Sequence, residues 1–212
     1  MSKKTGNTKE RFFMEALKLF AEKGYDAVRL SEIAEAVGVS TPALYKHYPG
    51  KQALFDALME RSRRGFAEQM DRLGVDFRTD PRKSVEFIHM PEEEQIRVIQ
   101  QLFLHTLGDE FPALFRKLMT LEQFRNPELA ASFNRRYVDA QFDAFEALMQ
   151  TAMDAGVYRP GNARAMAIQF ASPIIVYTAA CDREPEKQAE ALRAIEAHIR
   201  QFNAAYRIAS TF

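Results

Sequence analysis

The stretch Leu30–Lys51, LSEIAEAVGVSTPALYKHYPGK, decides how the whole chain is read. Two short apolar-patterned segments flank Gly38. In the first, Ile33, Ala34 and Val37 recur at helical spacing, which predicts a helix over about Ser31–Val37. After the glycine, Ser40 suits the cap of a new helix, and Pro42 falls in its first turn, where a missing N–H costs nothing. That helix is expected over Thr41–His47, closed by Pro49-Gly50. Ala34 is small enough for a second helix to cross close above it. Gly38 can take a positive φ in a tight turn, and Leu44 fills the angle between the helices. This is the spacing of a helix-turn-helix, whose second helix enters the DNA major groove. It is also the spacing of an ordinary corner between two helices.

Working outward, Phe12, Phe13, Ala16, Leu17, Leu19 and Phe20 give a first helix over Thr8–Glu22, stopped by Gly24. Residues 1–7 are polar and basic and are expected to be disordered, with Lys3 and Lys4 free to brush phosphates. Lys51 opens a fourth helix, continued by Ala53, Leu54, Leu58 and Phe66 to about Leu73, and Gly74–Pro81 reads as a loop. Beyond it the apolar spacing stays at three and four, without the alternation of strands. Helices are expected over Arg82–Met90, Pro91–Gly108, Phe111–Phe124 (broken by Asn126-Pro127), Glu128–Ala155, Asn162–Ala180 with a kink at Pro173, and Pro185–Ile208. The expected class is all-α. An N-terminal three-helix helix-turn-helix domain occupies residues 1–51, and a larger C-terminal helical domain residues 52–212.

Composition agrees with an ordinary globular protein: 47% of residues are hydrophobic and 27% charged, and 17 Phe and 9 Met with no Trp suggest an adaptable apolar interior. Net charge is zero but uneven. Residues 1–64 hold 12 Lys+Arg against 8 Asp+Glu and the remainder 17 against 21, so a nucleic-acid contact would belong to the first part. The lone Cys181 allows no intrachain disulfide and points to a reducing compartment. The start, MSKKTGNTKE, has no apolar signal region and no stretch approaches 18 apolar residues. The expectation is a cytoplasmic protein with no membrane partner. His89 and His105 lack a tight ligand spacing, so no metal and no cofactor is expected. No Gly-rich phosphate loop or nucleophile motif argues for an enzyme.

Residues 8–58 resemble the TetR/AcrR family of bacterial repressors. The resemblance is carried by Thr8-Lys9, Ala16, Leu19-Phe20, Gly24-Tyr25, Ile33-Ala34, Gly38-Val39-Ser40, Leu44-Tyr45, His47-Tyr48, Lys51 and Leu54. RNPELAASF, residues 125–133, looks like the start of the seventh helix of many relatives. Two positions depart: Lys9 stands where the family most often has Arg, and Arg29 where a Thr commonly caps the second helix, a role Ser31 is expected to take over. The resemblance implies that Thr41, Pro42, Ala43 and Lys46 read bases. Their chemistry fits, since Thr and Ala methyl groups meet thymine methyls and lysine reaches guanine acceptors. Tyr45 and His47 are expected on phosphates, together with Ser40 at the cap. Thr8 and Lys51, each at a helix start, are expected to hold phosphates too, Lys51 through its charge and its own N–H. Tyr48 is expected to pack inside the small domain.

The resemblance also implies that the last two helices pair with those of a second copy as a four-helix bundle. Leu192, Ile195, Ile199, Phe202 and Tyr206 step by three and four like such a seam, and Ile174 and Ile175 join them; the same stripes would fit the chain's own core. The remaining helices would enclose a pocket for a small apolar or aromatic effector. The candidate lining is Phe103, His105, Phe111, Phe115, Met119, Glu122, Phe124, Phe142, Phe145, Met166, Phe170 and Tyr177. Glu122 and Asp143, if buried without partners, would favour a cationic effector. The function expected is that of a ligand-responsive transcriptional repressor that binds a palindromic double-stranded operator as a homodimer and is released by its effector. The alternative is a ligand-independent DNA-binding regulator with a filled C-terminal core.

Overall fold

Apolar residues recurring every three or four positions put most of the chain into helices. The structure, a computed structural model, describes residues 2–72, 77, 80–125 and 127–208. In order the helices are α1 (Ser2–Lys23), α2 (Leu30–Val37), α3 (Thr41–Tyr45), α4 (Lys51–Arg72), α5 (Pro81–His89), α6 (Glu92–Gly108), α7 (Glu110–Glu122), α8 (Pro127–Asn134), α9 (Ala140–Asp154), α10 (Ala163–Arg183) and α11 (Gln188–Tyr206). No strand forms among the described residues; Tyr158 and Arg207 make an isolated antiparallel bridge.

Several boundaries differ from expectation. The first helix does not begin at Thr8; α1 runs back to Ser2, through the segment expected to be disordered. The helix expected over 128–155 is interrupted. At Arg135–Asp139 the ladder widens to a π turn, with the Ala140 N–H bonding five residues back to Arg135, and RNPELAASF thus opens α8. A π turn inserts a residue and shifts the apolar stripe by it, and here the step from Phe133 to Val138 is correspondingly longer. Most of the loop expected at 74–81, and Asn126, lie outside the described residues, as do the side chains of Lys3, Lys4 and Phe66.

The chain forms two compact units. One comprises residues 1–66 and 109–133, the other residues 67–108 and 134–212. The first takes in α7 and α4 as far as residue 66, in addition to α1–α3. Its α1 packs against α2 and α7. Phe12, Leu17, Phe20, Ile33, Leu44, Leu54, Leu58 and Phe115 are fully buried there. The Phe20 ring lies 5.3 Å from Tyr25 and 6.5 Å from Phe55.

In the second unit α10 packs against α9, α6 and α11, and α5 against α9. The Phe145 and Phe202 rings each stand 5.0 Å from Phe170. By length and composition α10 is apolar enough to cross a membrane. Its Met166, Ala167, Phe170, Ala171 and Ile174 are buried in the unit's core. A polar cluster ties α11 to α6: the Tyr158 hydroxyl donates to Asn203 at 2.8 Å, and the Asn203 amide donates to Glu92 and Gln95, both at 3.1 Å. Burial pushes the Tyr158 phenol up to about 12.

Phe20 lies in the first unit where α1, the corner after it and α4 meet. Phe20→Ala should lower the unfolding free energy by about 3–5 kcal/mol through lost burial and the cavity left behind. Urea denaturation reads this, and an unchanged midpoint would contradict the packing.

Candidate nucleic-acid interface

A five-residue helix is not stable alone, so α3 is shaped by what surrounds it. Gly38 ends α2 in the left-handed region, φ 77° and ψ 34°, where a side chain would be strained. Its N–H donates to Glu35 at 2.9 Å and the next, from Val39, to Ala34 at 3.0 Å, satisfying carbonyls at the helix end. Ser40 occupies the cap position of α3 with extended backbone, but its hydroxyl makes no capping bond. The start of α3 instead rests on its backbone, with the Ala43 N–H donating to the Ser40 carbonyl at 2.9 Å. The helix ends as the His47 and Tyr48 N–H groups both turn onto the Leu44 carbonyl, at 2.9 and 3.0 Å.

Leu44 is fully buried. Pro42 and Lys46, four apart and on the opposite side, are exposed, as is Ser40; Thr41 and Ala43 flank them half-buried. Tyr45 is 52% exposed. The four residues expected to read bases therefore surround the outward side of α3. His47 is half-buried, its ring 5.7 Å from Phe12. Tyr48 is buried as expected, with the Lys9 ammonium 5.5 Å from its ring.

Three polar ties hold this head; two of them, from Arg11 and Lys51, join residues more than 20 positions apart and leave no local sequence signal. Arg11 on α1 donates to the Val37 carbonyl at 2.7 Å, beside the turn. Glu32, rather than Ser31, closes the start of α2, accepting the Arg29 N–H at 2.7 Å and the Lys23 ammonium at 2.9 Å. The Arg29 N–H and then Lys23 hold its carboxyl below the usual carboxylate range. The third tie is Lys51. Its ammonium donates to the Tyr25, Asp26 and Val28 carbonyls at 2.9, 3.3 and 3.1 Å and lies 4.4 Å from the Tyr25 ring.

Two phosphate candidates sit differently from expectation. The Lys51 ammonium bonds three carbonyls of the α1–α2 corner, and its backbone N–H lies at the start of α4, where it can face an anion. Thr8 lies within α1 rather than at its start, so its N–H belongs to the helical ladder.

The expected effector-lining residues fall in both units. Phe111, Phe115, Met119 and Glu122 lie on α7 in the first unit, with Phe124 just beyond. Phe124 is 89% exposed and encloses nothing. Phe111 stacks 5.7 Å from Phe13 and 5.8 Å from the buried Phe115, and Met119 is buried as well. Glu122 is buried but not without partners: it accepts the Tyr25 N–H at 2.8 Å and lies 3.8 Å from Arg125. Asp143 is exposed and paired with Arg164 at 2.7 Å. In the second unit Phe103, Phe145, Met166 and Phe170 are core residues, while His105, Phe142 and Tyr177 are half-buried.

Four residues of the expected dimer seam turn inward. Ile174, Ile195, Ile199 and Phe202 are buried in the chain's own core, with Ile175, Leu192 and Tyr206 half-buried around it. The apolar positions left outward are Ile168 and Val176 on α10, 42% and 62% exposed. On α11 the small residues Ala197, Ala204 and Ala205 are exposed with Gln201. Val176 escaped notice because it lies outside the regular apolar stripe.

Residues 14–58 match the family described as bacterial regulatory proteins, tetR family, and residues 94–198 match the tetracyclin repressor-like C-terminal domain. The HTH-type transcriptional regulator AcrR of Shigella flexneri is 31% identical over 104 residues, 46% of this chain and 48% of that protein. This chain thus spans about half of AcrR's length. IcaR of Staphylococcus aureus, a negative transcriptional regulator of the biofilm operon icaADBC, is 25% identical over 150 residues, 66% of this chain and 77% of IcaR. Among solved structures, the SmeT–triclosan complex aligns with a TM-score of 0.65 at 22% identity, over 97% of this chain and 94% of SmeT. SmeT is the repressor of a Stenotrophomonas maltophilia multidrug efflux pump. A TetR family transcriptional regulator from Pseudomonas syringae aligns at 0.62 and 19% identity, over 94% and 96%. At these identities the structures show a shared fold. The matched families and curated relatives are regulators, not enzymes.

Replacing Lys51 by Met should lower the unfolding free energy by about 2 kcal/mol, the scale of hydrogen bonds to a charged group. The salt dependence of DNA binding should stay as in wild type. A salt slope reduced by about one would show the ammonium on a phosphate instead.

Proposed function

The chain belongs to the TetR/AcrR family of bacterial transcriptional regulators, and from that premise we propose that it is a repressor that binds a palindromic operator as a homodimer and is released by a small apolar or aromatic effector. The observation that carries the DNA-binding part is the outward face of α3. Pro42 and Lys46 stand exposed opposite the buried Leu44, flanked by Thr41 and Ala43, on a helix oriented by the left-handed turn at Gly38. Thr, Pro and Ala offer apolar contact to thymine methyls, and lysine reaches guanine O6 and N7. Tyr45, Ser40, His47 and the N–H groups opening α4 surround them and suit phosphates, which position without specifying.

So short a helix touches few base pairs, and two copies on successive major grooves supply the missing specificity. Ile168 and Val176 with Ala197, Gln201, Ala204 and Ala205 form the dimer face in this proposal, replacing the buried seam. Alanines allow two helix pairs to approach closely. The effector acts in the helical C-terminal part and favours a state in which α4 swings and the two α3 helices leave the groove spacing. By linkage, the operator then weakens effector binding by the same factor. The protein works in the cytoplasm on this reading, with no membrane partner. The close Phe145–Phe170–Phe202 ring packing favours, as a second reading, a regulator whose C-terminal core is filled and that answers to no effector. Release of selected DNA by any compound from a small-molecule panel separates the two.

The test begins with selection of bound duplexes from a random library by the full chain. Lys46→Ala should weaken binding to the selected operator by about 1–3 kcal/mol and relax the preference at one position per half-site. Unchanged binding would remove Lys46 from the interface. For the dimer, Val176→Glu should shift sedimentation from dimer to monomer while the protein stays folded; an unaltered dimer would place the interface elsewhere.

A further inference from the structure

The corner between α1 and α2 is gripped from two sides. From α4, Lys51 donates to three of its carbonyls. From α7, Glu122 arrives 97 residues later in sequence, and its carboxylate accepts the Tyr25 N–H at 2.8 Å. Glu122 is 2% exposed. A buried carboxylate on a main-chain N–H is a specific choice, since its loss leaves that donor unsatisfied. Gly24 completes the fit. Its φ is +85°, and a methyl group there would stand 2.9 Å from the Glu122 oxygen and 2.7 Å from the Arg125 guanidinium. The glycine thus takes the left-handed turn and also admits the carboxylate.

The other end of α7 is fixed to α1 as well. Phe111 stacks on Phe13, the Arg61 guanidinium lies 5.0 and 4.9 Å from those two rings, and Glu110 faces Lys18 at 3.5 Å. So α7 is attached at both ends to the frame that carries α2 and α3. The chain enters this segment from the second unit before residue 109 and returns to it after residue 133.

We propose that Glu122 is a positioning residue for DNA binding. Its carboxylate sets the α1–α2 corner, and through it the α2-turn-α3 head. The inference rests on the DNA-binding reading above.

The experiment uses the full-length chain and the operator it selects. In wild type the Tyr25 amide should be protected from hydrogen exchange like amides within α1; exchange at the rate of an open loop would overturn the proposal. Glu122→Ala, assayed well below its melting temperature, should bind the operator about tenfold more weakly, the scale of one hydrogen bond to a charged group. A random duplex of equal length should be bound as before. Glu122→Gln keeps an acceptor oxygen and should recover most of the loss. Operator affinity of Glu122→Ala within twofold of wild type overturns the proposal, as does an equal loss on both duplexes without recovery in Glu122→Gln. If Glu122→Ala does not fold, Glu122→Gln decides: near-wild-type operator affinity with a protected Tyr25 amide supports the positioning role, and near-wild-type affinity with an unprotected amide contradicts it. A wild type that selects no sequence refutes the DNA-binding reading itself, and the Tyr25 exchange still judges the corner.

Discussion

Burial of Leu44 is the constraint on which the reading head depends. Five residues of helix have too few internal hydrogen bonds to hold a direction in water. Leu44, with no exposed surface, allows α3 one orientation, and that orientation turns Pro42 and Lys46 outward. The left-handed Gly38 sets the angle at which the chain arrives. A side chain at 38 would strain the turn, and a smaller residue at 44 would free the helix to rotate. Specificity in such a head follows from packing first and from polar chemistry second.

The frame around the head is polar where it meets backbone. Arg11, Glu32, Lys51 and Glu122 each bond a main-chain group at the end of a helix or in the corner after α1. Charged side chains make stronger bonds than neutral ones and hold a direction. Four charged residues are thereby occupied with architecture near a surface read as binding an anion. The basic surplus of the first 64 residues therefore overstates the charge free to meet DNA, since Lys51 and Arg11 are engaged internally.

The local part of this arrangement was legible in the sequence. The α2-turn-α3 spacing, the positive φ at Gly38, the burial of Leu44 and Tyr48 and the exposure of Lys46 all follow from neighbours a few residues apart. Roles set by distant partners were not legible. Lys51 looked like a phosphate ligand because nothing local shows the carbonyls 23 to 26 residues earlier that it caps. Glu122 looked like an effector contact for the same reason. The stripe Leu192, Ile195, Ile199 and Phe202 had the period of a dimer seam, yet the same period serves an internal core; Ile195, Ile199 and Phe202 are buried there, the Phe170 ring 5.0 Å from Phe202. Thr8 was displaced because a polar segment with weak helix propensity continues α1 to Ser2. The π turn at Arg135–Asp139 coincides with a lengthened apolar step, Phe133 to Val138, which a reading of steps of three and four passes over.

In the proposed function the outward face of α3 reads bases in the major groove, once from each copy of a symmetric dimer. Methylation interference on the selected operator tests it most directly, since guanine N7 lies in the major groove and adenine N3 in the minor. Interfering guanines should fall in two inverted clusters whose centres lie one helical turn, ~10 base pairs, or a multiple of it apart. Interference confined to adenine N3, or a single cluster without an inverted mate, would contradict it.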